Sequence, residues 1–370
     1  MNKTALTVLL LVGILFSHSI YAKDTSNLQI YKADNPLIRY MGRIDFSNPQ
    51  KPKITGAGSY FQLKFRGSNC TVLIRNQNLY HYHNYISVVI DETYLGRIRI
   101  DSLQTRYQLA SNLKDTVHTL LVCKATEAQI GYIEFSGVEC EEILPLNLSC
   151  DKKIEFVGNS ITCGMGLELS AIPCDSGAWY DQHDAYLAFG PIIARKLDAD
   201  WLLSSVSGIG IERNWNSSGP TLPQVYFNLY LNTDSSLTWK SENYQPDLIS
   251  VCLGTNDFSD GDGSYQRGKL DSTAFVSKYI RFIKEIRLHH PSAQICCLTS
   301  PTVFGEKGVR LNNYISSVIT HFKTVEEDNR IHMYSFKQPY IKGCSGHPDK
   351  MEHQLMAAEL LPFFKQVMNW

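Results

Sequence analysis

Four short blocks carry side chains that could act together: Gly158-Asn159-Ser160-Ile161-Thr162, Ser207-Gly208, Gly254-Thr255-Asn256-Asp257 and His347-Pro348. A hydroxyl, a glycine turn, an amide and an imidazole are the equipment of acyl transfer. A serine hydroxyl attacks a carbonyl only when a neighbouring base takes its proton, and His347 is the base on offer for Ser160. The tetrahedral intermediate then carries a negative oxygen that needs fixed donors. The backbone N–H groups of Ser160 and Gly208 and the side-chain amide of Asn256 are the candidates, and a glycine at 208 permits a tight turn with room for an ester. His-Pro fits a helix start, with Pro348 at the first helical position, His347 near the N-cap and Asp349 complementing the dipole.

Each residue taken singly has an ordinary reading. Ser160 is then a turn or N-cap residue, Gly208 a turn glycine, Asn256-Asp257 a turn pair and His347 a cap. The order of elements is what joins them. After Pro145, apolar runs at 154–157, 201–206, 248–253, 295–298 and 331–336 read as strands. Helical segments are expected at 184–197, 275–286 and 311–322, with a last helix over 348–367. Strands alternating with helices predict a parallel, doubly wound, flavodoxin-like α/β sheet covered on both faces. Ligands bind such sheets beyond the carboxyl ends of the strands. The four blocks fall there, after the first, second, third and fifth strands.

The first half of the chain has a different period. From about 31 to 146, short alternating runs such as YFQLKF (60–65), TVLIR (71–75), YISVVI (85–90), TLLVC (119–123) and IGYIEF (130–135) are separated by turn residues. This predicts an antiparallel β-sandwich, jelly-roll-like or immunoglobulin-like. The segment 79–85, rich in aromatics and histidines, reads as a strand with aromatic pairs or as a sugar-stacking platform. Residues 1–22 read as a signal peptide, with Lys3, an apolar run over 5–16 and small residues before a cut after Ala22. The expected division is therefore 1–22 leader, 23–146 sandwich and 147–370 catalytic domain, in a secreted or periplasmic protein with no membrane attachment after cleavage.

The whole chain has 370 residues, of which 44% are hydrophobic and 19% charged, and a formal charge of -1. That balance removes the electrostatic case for nucleic acid or an anionic membrane surface as partner. There are ten cysteines but no C-x-x-C. Cys252, Cys296 and Cys297 lie in strand-like runs and are expected to be buried thiols. Cys163 and Cys174, flanking a short loop, are the candidate disulfide. Cys344-x-x-His347 with His353 is a weak metal reading, since two or three ligands at one loop do not close a site. His353 is expected to be an exposed or capping residue of the last helix, and the base held in reserve.

The GNSIT, SG, GTND and HP blocks resemble the four signature blocks of the SGNH/GDSL hydrolase superfamily, with Asn159 where Gly-Asp-Ser is usual. The mature chain as a whole resembles the family 2 carbohydrate esterases, through IEFVGNSITCGMG, Gln245-Pro246-Asp247 ahead of LGTNDFS, and the terminal GHPDKMEH. The resemblance implies a β-sandwich ahead of an SGNH domain. It also implies O-deacetylation of polysaccharides or oligosaccharides, acetylxylan among them, with no metal or organic cofactor. Many SGNH enzymes carry an aspartate three residues before the histidine; here that residue is Cys344. A thiol is a poor substitute, so a Ser160–His347 dyad oriented by a backbone carbonyl is expected. Arg213, Asn214, Trp215, Asn216 and Trp239 suit a sugar that stacks and hydrogen-bonds, and Trp215 and Asp257 are the candidate substrate-binding residues. The competing readings are another SGNH esterase or lipase, and a non-catalytic carbohydrate-binding protein.

Overall fold

Alternation over seven-residue runs is what builds the N-terminal half. In Tyr60–Arg66 and Cys70–Asn76 buried residues alternate with partly exposed ones, so each strand offers one face to a core. The computed structural model describes residues 27–77, 81–146 and 150–370. The expected leader, and Leu79 and Tyr80 of the aromatic segment, lie outside them. Two antiparallel sheets form. One orders Ile44–Asp45, Lys53–Ile54, Ile133–Cys140, Cys70–Asn76 and Arg106–Ala110, with Gln29–Lys32 also on Ile133–Cys140. The other orders Glu142–Leu144, Tyr60–Arg66, Val117–Lys124, Asn84–Ile90 and Thr93–Ile100, with Arg39–Met41 also on Tyr60–Arg66. Phe61, Leu63, Phe65, Val72, Ile74, Ile86, Val88 and Val138 fill the space between them, and Phe61 stacks on Phe135 at 4.0 Å. The sandwich expected from the sequence is present.

Strand Asn84–Ile90 is buried along its whole length, on both faces. Its outer face is covered by the second half of the chain, whose Asp184 accepts hydrogen bonds from Ser87 and Tyr94.

The second half forms one parallel five-stranded sheet. Its order is Ala199–Ser205, Lys152–Gly158, Leu248–Cys252, Gln294–Leu298, Ile331–Tyr334, which in chain order is 2-1-3-4-5, the flavodoxin-like order. Helices Phe189–Lys196 and Lys350–Met368 cover one face through Phe189, Ile193, Met356, Leu360 and Phe364. Helices Ser272–His289 and Gly305–Thr324 cover the other through Phe275, Tyr279, Ile283, Leu311 and Ile315.

The single helix expected over 184–197 is broken. A 3-10 turn, Ala185–Leu187, precedes the helix Phe189–Lys196, with Ala188 extended between them. Pro191 explains the break. A continuous helix would drive its ring into the carbonyl of Leu187, and it has no N–H to offer that carbonyl.

The two halves share a buried, polar interface. The guanidinium of Arg43, from the sandwich, is fully buried and donates to Ser204 Oγ and to the carbonyls of Tyr226 and Asn228. Trp201 Nε1 donates to the Gly58 carbonyl, and Arg39 pairs with Asp200. A buried cation so fully satisfied is costly to uncover.

Candidate active site

Strand Lys152–Gly158 sits between its second and third neighbours, with Gly158 opposite both Ser205 and Cys252. The chain leaving it turns into the short helix Ser160–Cys163. Asn159 caps that helix by accepting from the Ile161 N–H at 3.1 Å. Ser160 is therefore the first helical residue, and first-turn N–H groups have no acceptor inside their own helix. The flanking strands place Gly208 on one side of it and Asn256 on the other. Gly208 has φ +74°, and a Cβ there would find no atom nearer than 3.9 Å, so glycine is required for backbone conformation and not for space. Asn256 Nδ2 donates one hydrogen to the Ile209 carbonyl at 2.7 Å. An amide NH₂ has a second to give.

The imidazole comes from the loop before the last helix. Ser160 Oγ lies 2.8 Å from His347 Nε2. His347 Nδ1 faces the carbonyls of Cys344 at 3.1 Å and Ser345 at 3.2 Å. Carbonyls only accept, so Nδ1 carries the proton and Nε2 is left to accept from the serine. Ser345 holds a left-handed conformation (φ 53°, ψ 34°), sparsely populated for a residue with a side chain, and this turn brings both carbonyls onto the ring. Burial pushes the His347 pKa below the ordinary histidine value, the two carbonyls only partly opposing it. The ring is thus neutral, and able to act as a base, at neutral pH.

Three contacts pin this loop. Cys344 N–H donates to the Gly166 carbonyl, and Gly343 N–H donates to the His347 carbonyl. A disulfide joins Cys344 to Cys174. The pairing of Cys163 with Cys174 expected from their short spacing does not occur. Cys163 is a buried free thiol against Ser205 Oγ, beneath the nucleophile turn. Cys252, Cys296 and Cys297 are buried free thiols as expected. The helix start also differs. Asp349 is the N-cap, in a capping box with Glu352, so Pro348 and His347 precede the helix.

Most of the polar residues expected to meet a sugar are occupied elsewhere. Asp257, expected at the substrate, is fully buried and accepts the backbone N–H groups of Ile211, Glu212 and Arg213. It shapes the loop after Gly210. Asn214 bonds to the backbone of Gly210, Gly219 and Pro220, and Arg213 to the carbonyls of Asp257 and Gly268. Asn216 lies near Ser264, and Trp239 lies over the guanidinium of Arg43 in the interface. The Trp215 ring is 45% exposed, and its backbone N–H donates to the Gly208 carbonyl at 2.7 Å. In the aromatic segment, Tyr82 packs edge-on against Tyr180, and His83 bonds to Asp181 at 2.6 Å.

Sequence reasoning missed the groups behind this loop. Glu127, from the sandwich, is fully buried and accepts from the Ser207 N–H and hydroxyl, with His183 Nε2 at 3.4 Å. Burial alone would raise its pKa, but hydrogen bonds from His183, Ser207 and Cys163 outweigh that and hold it below the ordinary value. No local signal marks Glu127, because Ser207 lies 80 residues away in sequence.

His353 is neither exposed nor a cap. It is fully buried, and its Nδ1 accepts the Phe189 N–H at 3.1 Å. With Cys344 in a disulfide and His353 so placed, these two do not form a ligand set with His347. Burial, helped by the nearby His347, pushes the His353 pKa down to about 3 from 6.5. A depressed pKa means stability is complete above the unfolded value and lost as pH falls from 6.5 towards 3. This group alone should cost about 2 kcal/mol between pH 7 and pH 5. Denaturant titrations of the wild type and His353→Gln at both pH values should show the variant losing less by about that amount; equal losses would refute the assignment.

Residues 40–146 match the model of the carbohydrate esterase 2 N-terminal family, and residues 154–360 that of GDSL-like lipase/acylhydrolase. The chain is 30% identical over 345 residues to the cellulase/esterase CelE of Acetivibrio thermocellus, covering 91% of this chain but only 40% of that protein. It is 26% identical to an acetylxylan esterase / glucomannan deacetylase of Cellvibrio japonicus, covering 100% of both. A family two carbohydrate esterase from Clostridium thermocellum, solved in complex with cellohexaose, superposes with a TM-score of 0.81. Identity there is 29%, over 90% of this chain and 99% of that one.

Proposed function

Because the chain belongs to the GDSL-like lipase/acylhydrolase family, in its family 2 carbohydrate esterase branch, we propose that it removes O-acetyl groups from polysaccharides or oligosaccharides of the acetylated hemicellulose type. It is a carboxylic-ester hydrolase, and the observation that carries the mechanism is the 2.8 Å contact of Ser160 Oγ with His347 Nε2. Nε2 takes the hydroxyl proton as Oγ attacks the acetyl carbonyl. The oxyanion is met by the N–H groups of Ser160 and Gly208 and the second amide hydrogen of Asn256. The imidazolium then gives its proton to the departing sugar oxygen, leaving acetyl-Ser160. Water attacks next, His347 takes its proton, and acetate leaves as the serine recovers its hydrogen. The reading is a dyad, supported by the carbonyls at Nδ1 and by the disulfide that occupies the Cys344 sulfur.

Trp215 is assigned to stacking on a sugar ring beside the oxyanion donors. Export after removal of 1–22, and the division at 146, belong to the same reading. The Cys174–Cys344 bridge supports export, since disulfides persist in oxidising compartments. Among the described residues no helix is long and apolar enough to cross a membrane. The test is acetate release from acetylated xylan, glucomannan and pectin, beside acetyl and octanoyl nitrophenyl esters. Release from at least one glycan, with acetyl turned over well ahead of octanoyl, is the expected result. Preference for octanoyl would favour a lipase.

A further inference from the structure

We propose that the sandwich is part of the catalytic apparatus, because Glu127 and Gln129 are positioning residues that fix the direction of the Gly208 oxyanion donor. The inference rests on the acyl-transfer reading above and concerns how its second donor is held.

The geometry begins with one peptide unit. The Ser207 carbonyl and the Gly208 N–H belong to the same planar trans amide, so they point in opposite directions. Whatever fixes the carbonyl aims the N–H. Gln129 Nε2 donates to that carbonyl at 2.8 Å. On the other side of Ser207, both Glu127 oxygens accept its backbone N–H at 3.2 Å, and one also accepts its hydroxyl. The two peptide planes flanking Ser207 are therefore held from outside the catalytic sheet, by a single turn of the sandwich. Gly208 has φ +74° and no Cβ, so no side chain of its own helps to hold that amide. The grip has to come from elsewhere.

The turn that supplies it is itself anchored. Glu127 and Gln129 lie between strands Val117–Lys124 and Ile133–Cys140. Lys124 is fully buried, and its Nζ donates to the carbonyls of Thr126 and Glu127 at 2.9 and 2.8 Å. Thr126 Oγ1 donates to Asn84 Oδ1 at 2.6 Å. A charged, buried clamp on an oxyanion loop is more than the interface needs for adhesion, which Arg43 and Trp201 already provide.

Hydrolysis of p-nitrophenyl acetate tests this without reference to the glycan. Glu127→Gln keeps one acceptor and loses the charge, and Glu127→Ala removes the clamp. Expected kcat losses are about 10-fold for the first and about 100-fold for the second, with KM within about twofold, because a misaimed donor weakens transition-state binding and not ground-state binding. Gln129 is exposed, so Gln129→Ala tests the same peptide with little risk to folding, and a several-fold fall in kcat is expected. Tyr230→Phe, which removes a different contact between the halves, to Asp45, should leave kcat unchanged. Wild-type kcat in both Gln129→Ala and Glu127→Gln overturns the proposal, as does an equal kcat loss in Tyr230→Phe. Should Ser160→Ala stay active in the same assay, the acyl-transfer reading falls, and this inference with it.

Discussion

Ser160→Ala and His347→Ala should each lower acetate release by about 10⁴-fold or more while leaving the protein folded. The chemistry has one oxygen to form the acyl bond and one nitrogen to move its proton, and the two are 2.8 Å apart. Without Oγ no acyl-enzyme forms. Without Nε2 the hydroxyl stays protonated and is a weak nucleophile. Because both act in one step, the double variant should be little worse than either single one. Loss of Oγ removes no backbone donor, so residual activity above water reflects the oxyanion hole and binding. Assays of the three variants beside matched thermal melts decide it. More than about 1% of wild-type turnover in either single variant, free of contaminating enzyme, would sink the assignment.

Separating Cys174 from Cys344 should have a large effect of another kind. The bridge closes a loop of 170 residues, and on the chain-entropy account removing such a constraint costs about 2–5 kcal/mol of stability. The paired variant Cys174→Ala/Cys344→Ala avoids a stray thiol. It should unfold at markedly lower denaturant than wild type, and reductant should lower wild-type stability alone. Activity measured where both proteins are folded should fall by less than about tenfold. The reason is that His347 leans on the carbonyls of Cys344 and Ser345, which alanine at 344 retains, and on the tie of Cys344 N–H to Gly166. A loss as deep as that of Ser160→Ala would mean that the sulfur does for the imidazole what an acid would.

The parallel sheet and its loaded edge were readable because buried strands leave unbroken apolar runs and helices leave a 3.6-residue period. Ser160, Gly208 and Asn256 could be picked out as candidates because each closely follows such a strand, and His347 because it sits in the loop between the fifth strand and the last helix. The errors lie where a partner is remote. Short spacing favoured Cys163 for Cys174, yet Cys163 points beneath the nucleophile turn while Cys344 arrives by way of four further strands. Asp257 looked available because a carboxylate in a turn usually is; only the fold brings three N–H groups onto it. His353 is the instructive case. It shares the buried stripe of its helix with Met356, Ala357, Leu360 and Phe364, so the period that located the helix also placed this histidine inside. Glu127 had no such stripe, and its role follows from contacts across the two halves.

The nucleophile and its base are 187 residues apart in sequence. Ser160, Gly208 and Asn256 are therefore all synthesised before the imidazole. His347 is delivered only when the helix Lys350–Met368 docks on the sheet and the loop before it meets Gly166 and Cys174. Until then the serine has no proton acceptor. Hydrolytic competence is thus a property of the finished molecule.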